Sequence, residues 1–343
     1  MKAMIIETTG ASDALQMLDV EKPHITEPNQ VLVQVFAASV NPIDTKLRAN
    51  GLYFPEPYPA ILGCDAAGVV EAVGKDVTQF QAGDPVYYCY GGLGQRFADT
   101  SLGNYAEYAL VPEHFLASKP ESLGYLQAAA APLVLITAWE ALFDRAHLRS
   151  GQTVFIQGGT GGVGHVAIQL AKIAGCKVAT TASSEVKSKF VRELGADCVI
   201  DYANEDIAQA LLSWTHEQGV DVLFDTVNSN NINDLIPAMK HYAHYVSLLQ
   251  LSDDVDYKAL RLKNISLSQE LMLTPMIFDL NEHAQRQASI LEQCGQFIDE
   301  GQLKLHVSKI LPLEDVAQAH DLIEHGHIQG KIVLAVAGDE AIE

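Results

Sequence analysis

The chain has 343 residues, more than a single hydrophobic core normally serves, so two domains are expected. Hydrophobic residues make up 48% and charged residues 19%, a globular balance that excludes a disordered chain. With 43 acidic against 22 basic side chains the net charge is -21, which repels nucleic acid and anionic membrane surfaces, and no local basic patch offsets it.

In chain order, MKAMIIETTG lacks the apolar core and cleavage site of a signal peptide and reads as a first strand. Residues 1–120 are short apolar runs (MKAMII, QVLVQVFAAS, AGVVEAVG, DPVYYCY, YAEYALVP) cut by Gly and Pro clusters, with no long helical period. That pattern predicts a mostly-β domain. The apolar stretch 126–143 is interrupted by Gln127, Pro132, Thr137 and Glu140, too polar and short for a membrane span, and reads as a buried helical region. Next comes TVFIQGGTGGVG (153–164), running into VAIQLAKIAG. A β-branched run, a glycine cluster and an amphipathic stretch (Val163, Val166, Ala167, Leu170, Ala174) predict strand, tight turn and helix. Gly159, Gly161 and Gly164 fit G-x-G-x-x-G, in which one glycine makes the turn, the next lets the backbone approach a pyrophosphate, and the third packs the helix close to the strand. Dinucleotide binding is the expectation. Strands KVATTAS, CVIDY, VDVLFDTV, HYVSLLQ and ISLSQELML then follow, most of them separated by helical stretches, which implies a doubly wound parallel sheet. The tail holds an amphipathic helix over 283–300, a strand near 303–310, a helix from about Pro312 and a last strand, KIVLAVA. Two helices and two strands make a poor core alone, so the tail is expected to return to the first domain. The division is therefore 1–125, 126–272 and 273–343, the last belonging with the first.

Cys64, Cys89, Cys176, Cys198 and Cys294 are odd in number and contain no C-x-x-C pair, which predicts reduced thiols and a cytoplasmic protein.

Taken together, AASVNPIDTKLR (37–48), GCDAAGVVEAVG (63–74), QAGDPVY (81–87), GNYAEYALVP (103–112), AAAPLVLITAWEAL (129–142), GGTGGVGHVAIQLAK (158–172), ELGADCVIDY (193–202) and QGKIVL (329–334) resemble the medium-chain dehydrogenase/reductase superfamily, in its zinc-free quinone oxidoreductase branch. The resemblance covers nearly the whole chain. It implies an α/β protein, a GroES-like mostly-β domain plus a Rossmann domain, with a small-molecule carbonyl or quinone substrate in the cleft between them, and a homodimer built on the Rossmann sheets. It also implies a nucleotide-binding set of Thr137, Gly159, Thr160, Gly161, Gly162, Val163, Gly164, Ser183, Ser184, Lys187, Tyr202 and Lys331.

Zinc-using members place a cysteine in the segment matching AASVNPID, a histidine before an acid in the segment matching GCD, and a third ligand after the central apolar run. Here those places carry Asn41, Cys64 with Asp65, and about Leu133. A neutral amide is a poor zinc ligand and leucine is none, and four closely spaced cysteines for a structural zinc are absent. The expectation is no metal. His241, His244, His325 and His327 read as surface residues.

NAD-specific sites put an acid at the end of the second strand, on the ribose 2′-OH. Here that end is Ala182-Ser183-Ser184, with Glu185 only afterwards, then Lys187 and, fifteen residues on, Tyr202. Hydroxyls and a cation suit the 2′-phosphate of NADPH, although Lys187 also reads as a solvated helix residue and Tyr202 as a capping aromatic. For the chemistry, the resemblance places Asn41, Asp44, Arg48 and Tyr53 in the site, Tyr53 as a donor to a quinone oxygen and Asn41 as an orienting amide. Asn41-Pro42 reads equally as a turn former. Lys46 stands where quinone oxidoreductases often have tyrosine. The expected activity is NADPH-dependent hydride transfer to a quinone or α,β-unsaturated carbonyl; the alternatives are a zinc-dependent alcohol dehydrogenase and a non-catalytic NADPH-binding protein.

Overall fold

The computed structural model describes residues 1–54, 58–94, 96–97, 100–227 and 231–337. Chain contacts divide these described residues into two units, one falling within 1–133, 273–301 and 305–337, the other within 134–272 and 302–304.

The second unit is one sheet of six parallel strands in the order Cys198–Asp201, Lys177–Ala182, Thr153–Gln157, Val220–Asp225, Met239–Ser247, Ser266–Gln269. Numbered along the chain the order is 3-2-1-4-5-6, the doubly wound arrangement of a Rossmann domain. Parallel strands covered on both faces read as continuous apolar runs. Accordingly Val154, Phe155, Ile156, Val222, Leu223 and Phe224 are all buried. Strand order reverses beside Thr153–Gln157, so the glycine turn leaves the sheet where such folds bind ligands.

The first unit carries two sheets. The larger is built around Gln30–Val40, paired antiparallel with Asp65–Val73, Tyr108–Pro112 and Lys331–Ala335. The last of these comes from the tail: Ile332 lies opposite Val40 and Leu334 opposite Ala38. Val307–Pro312 joins its far side in parallel through the helix Val316–His325.

One element departs from expectation. Within the segment read as all β, Pro42–Asn50 is a helix. Its buried residues are Asp44, Thr45, Leu47 and Arg48, so its inward face is mostly polar and shows no apolar period. Asn41 caps it and Pro42 opens it, and the Asn41 N–H donates to Asp44 Oδ2 at 2.8 Å. The pattern Asn-Pro-x-Asp is a helix start of the capping-box kind and was the available signal. Among the described residues no helix is long and apolar enough to cross a membrane.

Candidate functional site

Each unit contributes a built feature, and the two are made of different material. In the second unit the strand Thr153–Gln157 turns at Gly158 and Gly159 into the helix Gly162–Ile173. Gly158 has φ +82°, in the left-handed region that favours glycine. The turn is held by Gly158 N–H to Thr181 Oγ1 and Gly161 N–H to Gly158 O, both 3.0 Å. A Cβ on Gly159 would lie 2.1 Å from Thr180 Oγ1, and one on Gly164 would lie 2.2 Å from Gly158 O, so both places are closed by the protein itself. Gly161 is different. Its φ is -76° and its nearest Cβ contact would be an ordinary 3.4 Å, so neither strain nor internal packing requires glycine there. No side chain caps the helix, and the first-turn N–H groups of Gly162, Val163 and Gly164 have no intrahelical partner at i−4. Thr160 lies in the turn and Thr137 is buried in the helix Pro132–Trp139. Gln157 Oε1, at the strand end, is buried without a partner.

Parallel pairing of Ala182 with Asp201 brings the next residues, Ser183 and Tyr202, to neighbouring strand ends. Ser184 Oγ accepts from Lys187 N–H at 3.3 Å and caps the helix Glu185–Glu193, which leaves its own O–H to donate. Tyr202 is 49% exposed and Glu185 is exposed. Asp201, the carboxylate at this edge, accepts from Ala203 N–H and Asn204 Nδ2.

In the first unit Asn41, Asp44, Arg48 and Lys331 are gathered, all buried, whereas Tyr53 is 46% exposed. Asn41 Nδ2 donates to Asp65 Oδ2 at 2.9 Å, and Lys331 Nζ donates to Asn41 Oδ1 and lies 3.4 Å from Asp65 Oδ2. Asp65 also accepts from Ser39 Oγ at 3.0 Å and from Leu133 N–H at 2.8 Å. Asp44 Oδ2 accepts the Tyr105 hydroxyl at 3.1 Å, and that hydroxyl lies 3.2 Å from His320 Nε2. Arg48 Nη2 pairs with Glu324. Burial pushes the Asp44 carboxyl up to about 6, with Asp65 adding to the shift and the Asn41 N–H, Lys331 and Tyr105 opposing it. Burial, with the Arg48 cation beside it, pulls His320 down to about 3. Tyr105 and His320 carry no local sequence signal, since their polar groups meet Asp44 and each other only through tertiary contact.

Two segments of the chain match known families. Residues 27–121 match the alcohol dehydrogenase GroES-like domain and residues 194–334 the zinc-binding dehydrogenase family. A quinone oxidoreductase of Pongo abelii is 31% identical over 337 residues, covering 97% of this chain and 97% of that one. A zinc-type alcohol dehydrogenase-like protein of Staphylococcus aureus (strain COL) is 33% identical over 320 residues, covering 90% and 92%. The chain belongs to the medium-chain dehydrogenase/reductase superfamily. Solved structures agree. An alcohol dehydrogenase superfamily protein from Novosphingobium aromaticivorans superposes with a TM-score of 0.89 at 35% identity, over 98% of this chain and 100% of that one. Escherichia coli quinone oxidoreductase complexed with NADPH gives 0.84 at 25%, and an NAD-dependent alcohol dehydrogenase gives 0.86 at 29%, both over 98% of this chain and 100% of the other.

This medium-chain oxidoreductase departs from the zinc in its relatives' names at the level of donor atoms. Both amide atoms of Asn41 and both carboxylate oxygens of Asp65 are already hydrogen-bonded, and a lysine ammonium supplies the local positive charge. The Cys64 thiol faces Asp44 Oδ1 at 3.5 Å, and its hydrogen bond with Cys89 and its burial push it well above the usual thiol range. At the third place Leu133 offers no donor atom in its side chain. The residues present do not fit a zinc ion. They do fit a dinucleotide, through the closed glycine turn and the uncapped helix start.

Proposed function

We propose that this oxidoreductase is an NADPH-dependent reductase that transfers hydride to a quinone or an α,β-unsaturated carbonyl without a metal. The observation that carries the reading is Gly161: a glycine with no internal need to be one, at an uncapped helix start, is explained by a ligand backbone or phosphate that must come close. When bound, a reduced nicotinamide would supply the hydride. The chain's own residues do the rest. The helix start and the glycine backbone hold a pyrophosphate, Ser183, the free O–H of Ser184, Lys187 and Tyr202 receive a 2′-phosphate, and Asp201, occupied by its own turn, does not claim a ribose 2′-OH. The exposed Tyr53 phenol is the donor to the acceptor's oxygen, where one pre-placed hydrogen bond is worth about 3 kcal/mol. Lys331 and Asp65 fix both ends of the Asn41 amide, which leaves one N–H of Nδ2 for orienting a carbonyl. The quinone oxidoreductase relatives support the acceptor class, and the same reading carries a cytoplasmic homodimer.

The test is loss of reduced-nicotinamide absorbance with NADPH and NADH in parallel, against quinones and enones, with and without a chelator. Chelator-insensitive turnover that prefers NADPH is the expected result. Activity abolished by chelation would replace the reading with the zinc alcohol dehydrogenase, and tight NADPH binding with no turnover would replace it with a binding protein.

A further inference from the structure

Three separate pieces of the first unit converge on the turn that carries Asn41: the helix Pro42–Asn50, Tyr105 ahead of the strand Tyr108–Pro112, and the helix Val316–His325. The Asn41 N–H and the Tyr105 hydroxyl both donate to Asp44 Oδ2, at 2.8 and 3.1 Å. Because the tyrosine proton goes to Asp44, its oxygen accepts from His320, 3.2 Å away. That assigns the His320 proton to Nε2 and a lone pair to Nδ1. Nδ1 is buried without a partner, and so are Nε and Nη1 of Arg48, whose cation acts on His320. The two donors in the line, His320 Nε2–H and the Tyr105 hydroxyl, then point one way, toward the Asp44 carboxylate, while the Arg48 cation acts on His320 through its charge and not through a hydrogen bond. Aligned hydrogen bonds in a low dielectric polarise and strengthen one another. Asp44 also faces Cys64, Asp65 and Lys331, and His320 also faces Asp321. The Tyr105 ring is itself fixed, edge-on to His320 at 5.8 Å between centroids and against Gly63, where a Cβ would strike it at 2.5 Å.

We infer that Tyr105 and His320 are positioning residues of the reductase, acting through Asp44 to hold the Asn41 turn. Both are fully buried, and the polar contact of Tyr105 on the Asn41 side is with Asp44. What the turn is held for rests on the function proposed above; that it is held does not.

Glutamine at position 320 keeps a donor where Nε2 stands, and leucine fills similar space without one. With a quinone as acceptor, His320→Leu and Tyr105→Phe lower kcat roughly tenfold with the KM for NADPH unchanged, while His320→Gln stays within about twofold, as expected for a hydrogen bond to a charged group. His320→Gln as slow as His320→Leu, or Tyr105→Phe as fast as the parent, overturns the inference. The same proteins are compared by amide hydrogen exchange over residues 38–50, which needs no turnover. Faster exchange there in His320→Leu and Tyr105→Phe but not in His320→Gln supports the chain of donors even if no quinone or enone is reduced, and equal exchange in all four proteins overturns it.

Discussion

The nucleotide turn and the buried network solve the same problem, placing polar groups accurately, with opposite means. The turn uses main-chain N–H groups and the absence of side chains, so its accuracy comes from close approach at Gly159 and Gly164. The network uses long side chains from distant segments, and its accuracy comes from mutual saturation, with Asp65 accepting from four partners and Asp44 from three. A backbone site fails by steric intrusion. A side-chain site fails by leaving a buried charge alone.

The largest expected effect breaks the second kind. Lys331→Met leaves the buried Asp65 carboxylate without its cation and destabilises the protein by about 3–5 kcal/mol, read by denaturant unfolding. A loss below about 1 kcal/mol would mean the remaining donors alone stabilise that charge.

Titration of the network sharpens the comparison, because two of its groups oppose each other. Asp44 is raised from 3.8 to about 6, so the folded state holds an extra proton between those values and stability falls as pH rises through them. His320 is lowered from 6.5 to about 3, so there the unfolded state holds the extra proton and stability rises with pH. Between about pH 4 and 6 the two slopes cancel, each being about 1.4 kcal/mol per pH unit. Relative to the parent, Asp44→Asn therefore loses stability as pH falls from 6 to 4, and His320→Gln gains it; parallel curves for all three would refute the opposition.

Substitutions in the turn come next. Gly164→Ala puts a methyl into Gly158 O and costs about 1–3 kcal/mol by thermal unfolding. Gly161→Ala costs less than about 1 kcal/mol yet weakens NADPH roughly tenfold in a fluorescence titration. Parent-like NADPH affinity in Gly161→Ala would remove the main support for the nucleotide site. The smallest effect concerns selectivity. Lys187→Glu weakens NADPH roughly tenfold while leaving NADH within about twofold, and equal losses for both would cancel the 2′-phosphate assignment.

The sequence by itself determined the Rossmann half. Its central strands, Thr153–Gln157 and Val220–Asp225, carry apolar runs because both faces of a parallel sheet are covered, and the glycine turn is a property of neighbouring residues, so both signals are complete within a few positions. The mostly-β character of the first half was legible for the same local reason. Only the tertiary structure decided the rest. The helix Pro42–Asn50 escapes a search for apolar period because it buries Asp44 and Arg48, and those residues tolerate burial only by meeting partners from far along the chain. Asn41 meets Lys331 across 290 positions and Tyr105 meets His320 across 215. A buried polar group is stable when its partner is present, and the partner's identity is a fact of three-dimensional packing that no short window of sequence contains.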